Sequence, residues 1–459
     1  STGETARGAP KTKAEKEASA KSLKTPGYLP KPVSKPMKTR FASLGREYAT
    51  RLLQDDLFQD SSILVVATVI GGGFNYLYQI AMGRMLGPEQ YGVFGALFGL
   101  TYLIGVMSKG TGIVTTRYIS KHTQQEAKKF LRDFQLRVSA FMFVAFAGLM
   151  LVSGYILDFI KFDDPVLLAI VVASALLGPV KAVNFNTLRG LQRFKAQGGL
   201  QVLQFALKLV LGVSLVALGY GLYGALGSLL ITGVLTLAIT VYYLRDMYSA
   251  TGSYSEMSEV YRYVLPSVLA GFCLSVPANL DVIIVKNLFA SSQAGLYTSA
   301  TVLGKIILFL PGGIVGAMFP KVSENHSSGG TTNHLLYKAL FFTGGLAASA
   351  VVFYTLFPRL IVGLMFGSEY TSIAYLVPWY GLMISVFALS QVILSYSLAK
   401  HHRRYITFFA SLTAAEFATV YVLASTMLQV VQLMLAFNLV ALAIGLVWYG
   451  SVEEVVDHL

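Results

Sequence analysis

Three lysines, Lys181, Lys208 and Lys305, each fall inside a long apolar stretch. An ammonium group at the centre of a bilayer costs roughly 2.5–3.5 kcal/mol on insertion scales. Such residues are kept where they face water, a partner charge or a substrate. Set against them are two deep carboxylates, Asp281 and Glu416. The excess of cations predicts an interior that receives an anion. For Lys208 and Lys305 the choice is between contact with that anion and an internal ion pair with Glu416 or Asp281. For Lys181 it is between the same contact and a long stem reaching toward the headgroups.

Asp281 follows Pro277 by one helical turn. A proline there cannot donate to the carbonyl of Cys273, and its ring strains the helix. A freed carbonyl beside a carboxylate suits a Na⁺ or H⁺ site. The competing role is a structural carboxylate paired with Lys305 or Lys286. Glu416 reads equally as a proton site or a counter-ion. Asn75, after Gly71-Gly72-Gly73, either lines a cavity or makes a helix–helix hydrogen bond. Lys109 and Lys400, at span ends, are expected to snorkel. Pro179 and Pro311-Gly312-Gly313, near Lys181 and Lys305, are candidate hinges or ordinary kinks.

These residues must be held by membrane helices. The chain has 459 residues, 54% hydrophobic and 13% charged, where a soluble domain carries about 25% charged residues. Apolar runs long enough to cross a hydrocarbon core of about 30 Å recur throughout. Twelve spans are expected, at approximately 61–82, 90–111, 135–158, 165–187, 198–219, 221–244, 263–285, 293–316, 336–357, 372–398, 404–425 and 429–449. The chain is therefore read as an all-α polytopic membrane protein with no separate soluble domain.

The net charge of +13 is uneven, with 12 of the 36 Lys and Arg in the first 60 residues. Residues 1–40 read as a disordered basic tail. It serves either as a topology signal or as an anchor for anionic lipid headgroups. Residues 41–60 have apolar side chains at helical spacing and read as an interfacial amphipathic helix. No apolar leader precedes them. Basic residues crowd one set of loops: Arg117, Lys121, Lys128, Lys129, Arg132, Arg189, Arg193, Lys195, Arg245, Lys321, Arg403 and Arg404. The opposite set shows Arg84, Lys161, Lys286 and Arg359. The positive-inside rule then puts both termini in the cytoplasm of a plasma (inner) membrane protein. The outer loops are short, which argues against a glycan polymerase or ligase with external catalytic residues. No catalytic triad, metal-ligand cluster or nucleotide-binding fingerprint is present, and the lone Cys273 offers no disulfide.

An internal repeat is legible. Gln90-Tyr91-Gly92-Val93-Phe94 opens the second span and Gln293-Ala294-Gly295-Leu296-Tyr297 the eighth. The same register lays Arg117-Tyr118-Ile119-Ser120 on Pro320-Lys321-Val322-Ser323. Both copies start on the same side, so the halves should be related by an axis along the membrane normal, as in transporters that bind substrate between halves.

At Leu86-Gly87-Pro88-Glu89-Gln90-Tyr91-Gly92, Asn279-Leu280-Asp281, Gly295-Leu296-Tyr297 and Phe319-Pro320-Lys321-Val322-Ser323 the chain resembles polysaccharide flippases of the MOP superfamily, the Wzx-like branch. The pattern covers roughly residues 61–449; the basic tail departs from it. The resemblance implies two six-helix bundles related by a pseudo-two-fold axis: 61–244, then a cytoplasmic linker 245–262, then 263–449, with 450–459 as a cytoplasmic end. It implies a non-enzymatic flippase that moves a polyprenyl-phosphate or polyprenyl-diphosphate oligosaccharide by alternating access. Expected substrate-binding residues are Lys181, Lys208, Lys305 and Asn75, and expected ion-coupling residues Asp281 and Glu416. No cofactor is expected beyond a coupling Na⁺ or H⁺. Expected partners are the lipid-linked glycan, membrane lipids and glycan-assembly enzymes around a monomer, with no nucleic acid. The alternative within the superfamily is a cation-coupled multidrug exporter, which should have a net acidic cavity.

Overall fold

The computed structural model describes residues 56–308, 318, 322, 333–400 and 402–456, with side chains from Ile63 onward apart from 265–267, 269–270, 273–274, 403 and 450–456. The described residues from Asp60 onward belong to one compact unit, Asp60–Leu459. The basic tail and nearly all of the expected interfacial helix fall outside the described residues, as do Pro311-Gly312-Gly313 and, except for Val322, the second copy of the Ser120-type motif.

The described residues are built of helices. In chain order they are α1 (Asp56–Gly105), α2 (Met107–Lys121), α3 (Gln124–Leu151), α4 (Ser153–Ile160), α5 (Pro165–Gly190), α6 (Phe194–Leu215), α7 (Gly221–Tyr243) and α8 (Met257–Ser275). There follow α9 (Leu280–Leu288), α10 (Ser291–Lys305), α11 (Asn333–Leu356), α12 (Pro358–Phe366), α13 (Leu376–Ala399), α14 (Arg403–Leu423) and α15 (Met427–Val456). Among the described residues eight helices are long and apolar enough to cross a membrane. Two of them, Ile63–Lys121 and Phe194–Tyr243, are 59 and 50 residues long, twice what one crossing needs. Each contains two of the twelve expected spans. The expected spans 263–285 and 293–316 correspond to no single long helix. The first is broken between α8 and α9, and the second is described only as α10 and a 3₁₀ turn at Ile306–Leu308.

The breaks have local causes. Gly87 has φ 72°, a left-handed conformation that costs a residue with no Cβ little, and Pro88 restarts the helix. Gly219 and Gly221 also have positive φ and turn the chain between α6 and α7. Around Pro277 the ladder fails, and the Asn279 and Leu280 amides both donate to Val276 O at 3.0 Å. At Pro179, by contrast, α5 runs on without a break. Its start is specified by Asp164, whose Oδ1 accepts from Leu167 N–H at 2.9 Å ahead of Pro165. The Tyr223 hydroxyl donates to Asp164 Oδ2 at 2.6 Å. Burial pushes the Asp164 carboxyl up, but these hydrogen bonds outweigh it and hold the group below its ordinary value.

Large apolar side chains such as Val69, Phe143, Leu218, Phe341 and Val422 point outward from the bundle, the face that hydrocarbon would cover. Inside, buried hydroxyls turn back on their own helices. Thr115, Thr187, Thr298 and Ser397 each donate to the carbonyl four residues earlier. Contacts tie the loops near Gly87, Lys161, Gly221, Lys286 and Gly367 together at one end of the bundle, the Gly87 end. At the opposite end the segment 248–256 is strapped down. Arg132 donates to Ala250 O at 2.8 Å, and Asp133 accepts from Tyr254 N–H at 2.8 Å.

Candidate functional site: two cation-lined cavities

The first cavity, about 810 Å³, opens among α2, α5 and α6. Lys181 reaches it from α5, with Lys109 and Arg117 from α2 and Arg189 from the end of α5. Gln197, Gln201 and Gln204 come from the first half of α6, ahead of Lys208 on the same helix. Among the described residues Lys181 has no hydrogen-bond or ion-pair partner. Lys109 and Arg117 are held from α8: Lys109 Nζ donates to Ser275 Oγ at 2.7 Å, and the Arg117 guanidinium lies 4.3 Å from the Tyr263 ring centre. Lys109 thus faces a cavity instead of snorkelling. Lys400 also departs from that expectation, since its Nζ sits 4.7 Å over the Tyr396 ring and donates to Asn333 Oδ1 at 3.4 Å.

The second cavity, about 210 Å³, lies between residues 75–102 of α1 and residues 278–308. Asn75 and Lys305 line it from opposite sides, with Tyr102, Asn279, Thr298 and Thr301. Lys208 stands between the two cavities. It is 7% exposed, and its Nζ donates to Asn75 Oδ1. The ammonium lies 4.5 Å over Tyr78, 5.4 Å over Phe98 and 5.4 Å over Phe205. Phe205 belongs to the wall of the first cavity and Phe98 to that of the second. Cation–π contacts and one amide therefore hold this charge, not Glu416 or Asp281. Asn75 is fixed in turn by donating from Nδ2 to the Tyr102 hydroxyl at 3.4 Å. No carboxylate lines either cavity among the described residues.

Lys305 makes an internal ion pair, one of the two alternatives its sequence context left open. Its Nζ is 3.8 Å from Asp281 Oδ1, with the carboxylate fully buried and the lysine side chain 19% exposed toward the cavity. Lys305 ends α10 and Asp281 sits in the first turn of α9, so each charge opposes the partial charge of its helix end. Asp281 Oδ2 accepts from the Tyr380 hydroxyl at 2.9 Å and from the Tyr297 hydroxyl at 3.2 Å. Oδ1 has no hydrogen bond. Lys286 is not the partner of Asp281: its Nζ donates to Ile160 O at 2.8 Å. Glu416, 3% exposed, accepts from Asn438 Nδ2 at 3.2 Å, and no described cation pairs with it. Among the described residues Glu416 is thus held by an amide and lies within electrostatic reach of Asp281.

Sequence reasoning missed Tyr297, Tyr380, Asn438 and the four-cation wall around Lys181. Asn438, an amide inside an apolar span, carried a usable signal. Tyr297 lies in the repeat and in the family-like motif, though neither pointed to its bond with Asp281; Tyr380 carried no signal, because tyrosines recur throughout the chain.

Solved structures with the same fold include an inward-facing multidrug resistance MATE family transporter of the MOP superfamily. It has TM-score 0.69 and 15% identity, covering 84% of this chain and 96% of that one. The lipid II flippase MurJ matches with TM-score 0.71 and 13% identity, over 83% of this chain and 86% of that one. A MOP superfamily transporter from Pyrococcus furiosus, described by the reverse polarity of its binding pocket, matches at TM-score 0.61 and 18% identity, over 87% and 97% of the two chains. These likenesses establish the fold of the MOP superfamily. No curated protein matches in sequence. The family model described as polysaccharide biosynthesis protein matches residues 81–375, more than half of the chain. The chain belongs to this family of multi-pass membrane proteins.

Proposed function

We propose that the chain is a flippase for a polyprenyl-phosphate- or polyprenyl-diphosphate-linked oligosaccharide. It takes the headgroup from the cytoplasmic leaflet and presents it at the outer one by alternating access. The observation that carries this reading is the polarity of the two cavities: five lysines and arginines reach them with no carboxylate among the described lining residues. Separated ammonium groups hold a compact anion as point charges and release it again. The first cavity would admit the headgroup, and Lys208, placed between the cavities, would pass it toward Lys305. The basic loops around Lys128, Arg132 and Arg193 put the Tyr254 end in the cytoplasm and the Gly87 end outside. Twelve crossings in two six-helix halves fit the doubled helices Ile63–Lys121 and Phe194–Tyr243.

Asp281, paired with the cavity-lining Lys305, and Glu416, buried within electrostatic reach of Asp281, are the groups through which a Na⁺ or H⁺ gradient would act. Transport by the Asp281→Asn, Glu416→Gln variant that still follows an imposed gradient would count against that role. A multidrug exporter of the same fold would favour organic cations, which the polarity of both cavities opposes. The deciding experiment is headgroup translocation of a fluorescent polyprenyl-diphosphate oligosaccharide in proteoliposomes. Wild type should translocate it, and Lys208→Ala and Lys305→Ala should lose the activity while remaining folded. No translocation by wild type across several glycans and gradients would sink the reading.

A further inference from the structure

The register that aligns Gly92 with Gly295 makes a geometric claim, since residues on a two-fold axis touch their own equivalents. They do so here. A Cβ on Gly92 would strike Ser291 O and lie 2.8 Å from Gly295 N, and a Cβ on Gly295 would strike Pro88 O and lie 3.0 Å from Gly92 N. The register carries Pro88 onto Ser291, so the two contacts are one contact seen from both halves. Gly95 meets its own equivalent, Thr298, one turn further along. Gly95 and Thr298 line the second cavity. The crossing at Gly92 and Gly295 therefore roofs that cavity on the Gly87 side.

On either flank of this roof a side chain from one half caps a short helix of the other. Arg84 Nε donates to Met365 O at 2.8 Å and its Nη2 to Leu364 O at 2.5 Å, in the last turn of α12. In the other direction Lys286 Nζ donates to Ile160 O at 2.8 Å and Lys161 O at 3.3 Å, and Asn287 Nδ2 to Phe159 O at 2.6 Å. These carbonyls end α4, which closes on Lys161 in a left-handed conformation with φ 50°. The same register carries Arg84 onto Asn287 and lays α4 over most of α12. The two caps are thus counterparts, exchanged between the halves. The last carbonyls of a helix have no partner within it and bear partial negative charge. A basic or amide donor that satisfies them ties the halves together only while the halves are in this arrangement. Tyr370 adds a cross-half bond on one flank, donating to Gly83 O at 2.6 Å.

We infer that the roof is a gate held by two exchanged latches, Arg84 on the end of α12 and Lys286 with Asn287 on the end of α4. The cavity opens to the Gly87 side when both release. At the glycines the halves meet backbone to backbone, and on one flank the Tyr91 ring packs against Phe366 and Tyr370 of the other half. The latches supply the specific bonds that must break. In the proposed transport cycle this is the step that delivers the headgroup outside, but the gate itself can be tested without substrate.

The test uses the full chain with Cys273→Ser. Spin labels at Asp163→Cys and Arg359→Cys, both exposed, report the separation of the two flanks. In a second background, Thr301→Cys in the cavity wall reports access of a membrane-impermeant maleimide applied separately from each side. Arg84→Ala with Lys286→Ala should produce a longer-distance population and faster modification from the Gly87 side only. The increase should be about tenfold per latch, the size of one charge-assisted hydrogen bond in an equilibrium. If Lys286→Ala does not fold, Arg84→Ala with Asn287→Ala keeps one donor on α4 and should give a smaller change of the same sign. Folded double variants with an unchanged distance distribution and labelling rate would overturn the gate. Failure of glycan translocation alongside an intact latch response would instead remove the flippase reading and leave the gate standing.

Discussion

The pair of Asp281 and Lys305 yields a quantitative test through a double-mutant cycle. At 3.8 Å, the direct attraction is about 4 kcal/mol at the effective dielectric of a protein surface, reduced here because Lys305 also faces the cavity. Asp281→Asn keeps the shape but turns the bonds from Tyr297 and Tyr380 from charge-assisted to neutral, a loss of about 1 kcal/mol each. It also leaves Lys305 without its carboxylate. The 19% exposure of the lysine side chain puts that cost near or below the lower end of the roughly 3–5 kcal/mol typical of a broken buried pair. Asp281→Asn should therefore destabilise by about 3–5 kcal/mol in all. Lys305→Gln leaves Asp281 with its two tyrosine donors and should cost about 2–3 kcal/mol. The double variant should cost less than the sum, with a coupling of about 2 kcal/mol. Equilibrium unfolding in mixed SDS micelles, run for all four proteins, measures this. A coupling below about 0.5 kcal/mol, the range of independent sites, would show that the two groups do not act as a pair.

Three other outcomes follow from the same structure. Lys208→Met retains the apolar stem among Tyr78, Phe98 and Phe205 and removes a buried charge with no carboxylate partner. It should raise unfolding stability by about 1–4 kcal/mol while glycan translocation falls at least about tenfold; a destabilised variant that still transports would refute the assignment. Gly92→Ala must displace backbone across the crossing and should cost about 1–3 kcal/mol or more. Gly73→Ala, where a Cβ meets nothing within 4 Å, should be neutral or stabilising by up to about 1 kcal/mol; equal effects in a thermal unfolding assay would contradict the crossing. Because the Asp164 carboxyl is held below its ordinary value, its contribution to stability is complete above about pH 4 and disappears as pH falls through the lower folded value. Asp164→Asn, which can still cap the helix, should flatten that acid limb in a pH series of unfolding curves.

Much was determined by the sequence alone because the bilayer leaves few choices. Backbone groups must be satisfied within each crossing, so apolar length and helix breakers locate the helices. Pro277 breaks its helix as its chemistry requires. The repeat of Gly92 and Gly295 also has a physical reading in one chain: small residues recur where backbones meet. That Lys181, Lys208 and Lys305 are enclosed in the protein follows from the cost of exposing them to hydrocarbon. Partnership was decided only by tertiary structure. Lys208 found an amide and three rings instead of Glu416, Lys286 found the end of a helix instead of Asp281, and Glu416 found Asn438. The sequence could not choose among these because each ammonium reaches any acceptor within several ångströms. Which acceptor comes within reach depends on helix rotation and crossing, and those are set by close packing summed over the whole bundle.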